Sequence, residues 1–181
     1  MLKRFVVALL MVLSLSLVGC TASAMGGLQS HVDTVDGYRF LYPIGWIEVK
    51  VASGPDVVFR DLIEETENIS VVINPIPANK TLEDLGSPGE VGYQLGKSAI
   101  APPNSNRQAE LVSADSYQAE DGKTYYLLEY AVKLPKQERH NLASVVVSHG
   151  KLYTLNASAT EARWTKMQPV FNQMIHSFSV R

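Results

Sequence analysis

The chain has 181 residues, 16 Lys+Arg against 18 Asp+Glu, 46% hydrophobic residues, 19% charged residues and a single cysteine. A domain near this size buries roughly 70% of its unfolded surface and folds without a staple, and one cysteine excludes an internal disulfide or a Cys-based zinc or iron–sulfur site. A formal charge of −2 argues against a nucleic-acid partner, which calls for a basic patch.

The first segment reads as an address. Lys3 and Arg4 precede the uncharged run from Phe5 to Val18, which is short for a membrane span and right for the apolar core of a signal peptide. It ends at Leu17-Val18-Gly19-Cys20, followed by Thr21-Ala22-Ser23-Ala24. Small residues before a cysteine at that place resemble a bacterial lipobox, with Cys20 as the lipidated first residue of the mature chain. The alternatives are an ordinary signal cleaved near Ala22 or Ala24, or an uncleaved anchor. Residues 1–19 are therefore expected to be removed, which takes away Lys3 and Arg4 and no acid. Residues 20–34 are expected to be the lipidated terminus and a flexible tether, Ser23 to Ser30; ten residues of such composition reach about 17 Å. Residues 35–181 are expected to be the folded domain.

That domain reads as α+β. Gly37 to Tyr42 and Trp46 to Val51 flank the Pro43-Ile44-Gly45 break, which predicts a hairpin. Val57 to Asp61 and Asn68 to Ile73 predict two more strands, the second stopped by Pro75 and Pro77. Ser87-Pro88-Gly89-Glu90 carries the residues of a capping box with proline at the first helical position, and Gly92 and Gly96 should weaken the helix it starts. Residues 101–108 read as an exposed loop. Arg107 to Ala114 and Tyr117 to Ala119 come before a turn at Asp121-Gly122, and the last three runs, Thr124 to Leu134, Leu142 to Ser148 and Lys151 to Ala157, predict a meander with a turn at His149-Gly150. Ser158-Ala159-Thr160-Glu161 repeats the capping pattern. After it, Trp164, Met167, Phe171, Met174, Ile175 and Phe178 share a helical stripe, with Pro169 expected to kink that helix or start a second one.

Catalytic patterns are missing: there is no Gly-x-Ser-x-Gly, His-Glu-x-x-His, phosphate loop or dinucleotide fingerprint, and no enzyme is expected. Four histidines are dispersed. His31 and Asp33 share one face of an extended segment and offer half of a metal site. His149 reads as a turn residue and His176 as a helix C-terminal residue favourable to the dipole. Asp61, Glu64, Glu65 and Glu67 read as a solvated charged loop, and Tyr38, Phe40, Tyr42 and Trp46 as sheet core.

Several segments together resemble the PsbP family, in its order: Gly37 to Trp46, Val57 to Leu62, Glu67 to Val71, Leu85 to Pro88, Thr124 to Tyr130, Arg139 to Leu142, Gly150 to Ala157, Arg163-Trp164 and Ser177-Phe178. With the lipobox, the chain resembles the cyanobacterial lipoprotein form of that family. The resemblance implies a central antiparallel sheet flanked by helices on both faces. It also implies a monomer on the lumenal side of the thylakoid membrane, with photosystem II or its assembly intermediates as partner. Plant members help retain calcium and chloride at the manganese cluster through an extended N-terminal segment, which a short tether replaces here, so calcium association is implied by the family alone. No obligatory cofactor is expected. The family's association with divalent metals falls on His140 and Glu161, a nitrogen and a carboxylate that suit weak zinc or manganese binding.

Overall fold

The computed structural model describes residues 27–181; the signal segment and Cys20 lie outside the described residues. Ten strands run β1 (Leu28–Asp33), β2 (Tyr38–Pro43), β3 (Ile47–Glu48), β4 (Val57–Arg60), β5 (Asn68–Pro75), β6 (Gln108–Gln118), β7 (Thr124–Leu134), β8 (Gln137–Ser148), β9 (Lys151–Thr160) and β10 (Ser179–Val180). Two α-helices are α1 (Pro88–Leu95), continued by a π-helical turn at Gly96–Ile100, and α2 (Glu161–His176). Seven strands form one antiparallel sheet in the order β3-β4-β5-β9-β8-β7-β6, and β1-β2-β10 form a second, smaller sheet.

Alternation along the central strands explains where the core sits. Tyr125, Leu142, Val146, Tyr153 and Leu155 join one buried cluster with the stripe of α2 and with Tyr38, Phe40 and Val180 of the small sheet. Tyr126, Leu128, Tyr130, Ala143 and Val145 join a second cluster with Val91 of α1 and with Leu82 and Ile100. Successive side chains of one strand leave on opposite sides, so each of β7 and β8 feeds both clusters. The antiparallel sheet with helices is as expected, but the molecule is sheet-rich, and the layer that α2 joins contains the small sheet as well.

Five local differences from the sequence reading stand out. Leu28–Asp33 is not tether but a strand, paired over its full length with β2 from Leu28↔Pro43 to Asp33↔Tyr38. The predicted hairpin across Pro43-Ile44-Gly45 is absent, because β2 pairs with β1 and β10 whereas Ile47 pairs with Arg60 of β4; Gly45 turns the chain between the sheets with φ +94°. β6 is one strand with a bulge between Leu111 and Ser113. The pattern at Ser158 is not a capping box: Ser158 is buried within β9, its hydroxyl donating to Asn141 Oδ1 at 2.8 Å and accepting from Arg139, and Thr160 precedes α2 without a side-chain cap. Pro169 lies inside α2, which runs unbroken to His176.

The box at Ser87 does form: Glu90 Oε2 accepts the Ser87 amide at 2.8 Å and Ser87 Oγ accepts the Glu90 amide at 3.4 Å. Gly92 proves to be a close-approach residue. A Cβ there would sit 2.9 Å from Leu111, and its carbonyl accepts Tyr130 Oη–H at 2.8 Å, so burying α1 on β6 and β7 requires glycine.

Candidate functional site

His140 is the centre of a built polar site. It stands on β8 opposite Ala131 of β7 and Ala159 of β9. Glu129, two residues from Ala131 on β7, is therefore a diagonal neighbour on the same side, within reach of long side chains, and Glu161 is the first residue of α2, directly after β9. His140 Nδ1 lies 2.6 Å from Glu161 Oε2, and Nε2 lies 2.8 Å from Glu129 Oε1. Trp164, one turn into α2, stacks on the ring with centroids 4.2 Å apart and 10° between planes. Glu129 Oε2 also accepts Ser113 Oγ–H at 3.4 Å. A neutral imidazole has one N–H to give, whereas here each ring nitrogen faces a carboxylate oxygen.

The structure thus brings the expected pair His140 and Glu161 together, and adds Glu129 and Trp164. Nothing in the local sequence announced Glu129, because its place depends on the β7–β8 register. Tetrahedral zinc with bonds near 2.0–2.1 Å would hold a nitrogen and an oxygen ligand roughly 3.3 Å apart, whereas Nδ1 and Oε2 are 2.6 Å apart. Glu129 sits across the ring and faces the other nitrogen. As arranged, these residues do not fit a resident metal, because one ion would find two protein ligands and only after the half-exposed Glu161 had swung away.

His31 and Asp33 are not joined into a site. The His31 ring packs among Tyr38, Phe40 and Phe59 at 5.2–5.9 Å, with Nε2 buried and without a partner. Asp33 Oδ1 instead accepts the amides of Val35 and Asp36 at 2.7 Å, closing the β1–β2 turn. Donor atoms of Asp33, Asp36 and Asp56 lie within 4.8 Å of one another, and they already have partners: Lys151 Nζ donates to Asp36 Oδ1 at 2.7 Å and Tyr38 donates to Asp56 Oδ2 at 2.5 Å. Burial, with that bond to a carboxylate, raises the Tyr38 phenol well above its ordinary range.

The acidic loop is also more organised than a solvated face. Glu67 is 1% exposed and accepts from Arg163 Nε. Arg163 also reaches Glu64 at 3.4 Å, and Arg60 pairs with Glu65 at 2.7 Å. Asp61 Oδ1 accepts the amides of Ile63 and Glu64 at 2.7 Å each. Burial pushes the Asp61 carboxyl up, but these two amides and a bond from the Trp46 side chain outweigh it, leaving the carboxyl below its ordinary value. His149, in left-handed backbone with φ +49°, fills the β8–β9 turn as expected, and His176 lies 5.4 Å from Tyr117 at the end of α2.

The PsbP family profile matches residues 26–180. CyanoP of Thermosynechococcus vestitus is 51% identical over 99% of this chain and 100% of its own length. PsbP-like protein 1 of Arabidopsis thaliana chloroplasts is 38% identical, over 88% of this chain and 67% of its own. The solution structure of CyanoP from Synechocystis sp. PCC 6803 superposes with a TM-score of 0.74 at 47% identity, covering 92% of this chain and 99% of that one. A family profile that takes in every strand described above, with one relative matched over 100% of its own length, leaves one conclusion: the chain belongs to the PsbP family.

Proposed function

We propose that this chain is a lipid-anchored accessory protein on the lumenal side of the thylakoid membrane, which binds photosystem II or its assembly intermediates and aids assembly or stabilisation of the oxygen-evolving complex. The observation that carries the reading is likeness to CyanoP over 99% of this chain, a span that takes in the lipobox-like Leu17–Cys20 as well as the domain. Tethering suits a helper of an integral complex, because it raises the effective concentration at the membrane surface without any new contact. Among the described residues no helix is long and apolar enough to cross a membrane.

The test is an affinity pull-down from detergent-solubilised thylakoids with a C-terminally tagged chain and a Cys20→Ala control. Photosystem II subunits should be enriched, more from assembly intermediates than from finished complexes, and the Cys20→Ala chain should recover less. Equal or absent recovery from both pools would overturn the proposal.

A further inference from the structure

The end of the domain where the described chain begins carries exposed apolar side chains. The Ile44 amide donates to Gly27 O at 2.9 Å, so Gly27, the first described residue, lies beside Ile44. Ile44 is 61% exposed, Ile47 39%, Leu62 62% and Ile63 88%. Ile47 pairs with Arg60, which sets the loop that follows β4 beside the β2–β3 turn. Asp61 folds that loop by accepting the amides of Ile63 and Glu64, leaving Leu62 and Ile63 outside. The loop's charges turn to their own partners: Glu65 to Arg60, Glu64 and Glu67 to Arg163.

We propose that this end, through Ile44, Ile47, Leu62 and Ile63, rests on a lipid surface of uncharged or zwitterionic headgroups. The proposal rests on the lipid-anchor reading of Cys20. Seven Cα steps separate Cys20 from Gly27, at most about 25 Å of extended chain, so a lipid on Cys20 holds this end nearest the bilayer. Isolated apolar side chains on a surface are ordinary, but a group of them around one point marks an interaction site. Apolar side chains lower their free energy by entering the headgroup boundary. Four acids against two arginines in and around the loop disfavour an anionic surface, which attracts basic segments.

The experiment uses the full mature lipoprotein in phosphatidylcholine vesicles. With Cys20 blocked by lipid, the sole free thiol is one introduced by Ile63→Cys or, as control, Val35→Cys. Val35 is 90% exposed in the turn at the opposite end of the β1–β2 hairpin. An environment-sensitive dye on residue 63 should shift to the blue and be quenched by nitroxide-bearing lipid, whereas the dye on residue 35 should do neither. Protein that floats with the vesicles while residue 63 reads as in water overturns the docking and leaves the anchor intact. Protein that does not float overturns both. Equal shifts at 63 and 35, or a shift at 63 only after photosystem II cores are added, overturn the lipid as occupant.

Discussion

The imidazole of His140 lies flat on the indole of Trp164 while both of its nitrogens face carboxylates, Glu161 at 2.6 Å and Glu129 at 2.8 Å. One ring therefore ties β7, β8 and the start of α2 together. Removing it leaves Glu129, whose side chain is 20% exposed, without its histidine partner. His140→Ala is expected to cost about 2–3 kcal/mol. Glu161→Ala, which removes a half-exposed partner, should cost under about 1 kcal/mol. Urea unfolding with unchanged slope checks the order; equal costs would mean that Glu129 does not depend on the ring.

Zinc or manganese must compete with the His140–Glu161 hydrogen bond. Weak binding is expected, abolished in His140→Ala and unchanged in His31→Phe, whose ring sits among aromatics away from any acid it bonds. Calorimetric titration of the three chains distinguishes them, and binding retained by His140→Ala would move the donor set elsewhere.

Gly92 and Gly89 make opposite predictions within one helix. A methyl at 92 meets Leu111 and Leu128 at 2.9–3.1 Å, so Gly92→Ala is expected to destabilise by about 1–3 kcal/mol despite better helix propensity. At 89 nothing lies within 4 Å, so Gly89→Ala should stabilise by about 0.5 kcal/mol. Thermal melts of both variants suffice.

Asp61 sets an acid limit. Its carboxyl is held below the ordinary value of 3.8, so its contribution is full above that value and is lost as pH falls through the lowered one. Asp61→Asn keeps an oxygen for the two amides and loses the charge. The stability gap between wild type and Asp61→Asn should be constant near neutrality and shrink below pH 3.8; a gap independent of pH would show that the charge contributes nothing.

How much was legible in the sequence depended on the range of each interaction. The box at Ser87 is complete within four residues and formed as expected. The same spacing at Ser158 was overruled, because β9 lies between β5 and β8 and continues to Thr160; that pairing is invisible to a local pattern. His140 and Glu161 came from resemblance, whereas Glu129 follows only from strand register. Leu28–Asp33 escaped notice because Gln, Ser, His and Asp interrupt it, and it earns its place by covering one edge of β2. The glycine at 92 reads as a defect until the leucines above it are known.

The last residues act as a clasp. Ser179–Val180 joins the free edge of β2, the Arg181 amide donates to Gly37 O at 2.8 Å, and Ser148 Oγ–H donates to the Arg181 carbonyl at 2.7 Å. Both ends of the described chain thus meet in the small sheet. Tension drawn through Gly27 by an anchored terminus would be carried first by the rungs between β1 and β2, with β10 bracing the far side. The seven-stranded sheet would feel it last, so under such a load the small sheet would yield like a mechanical fuse before the folded body did.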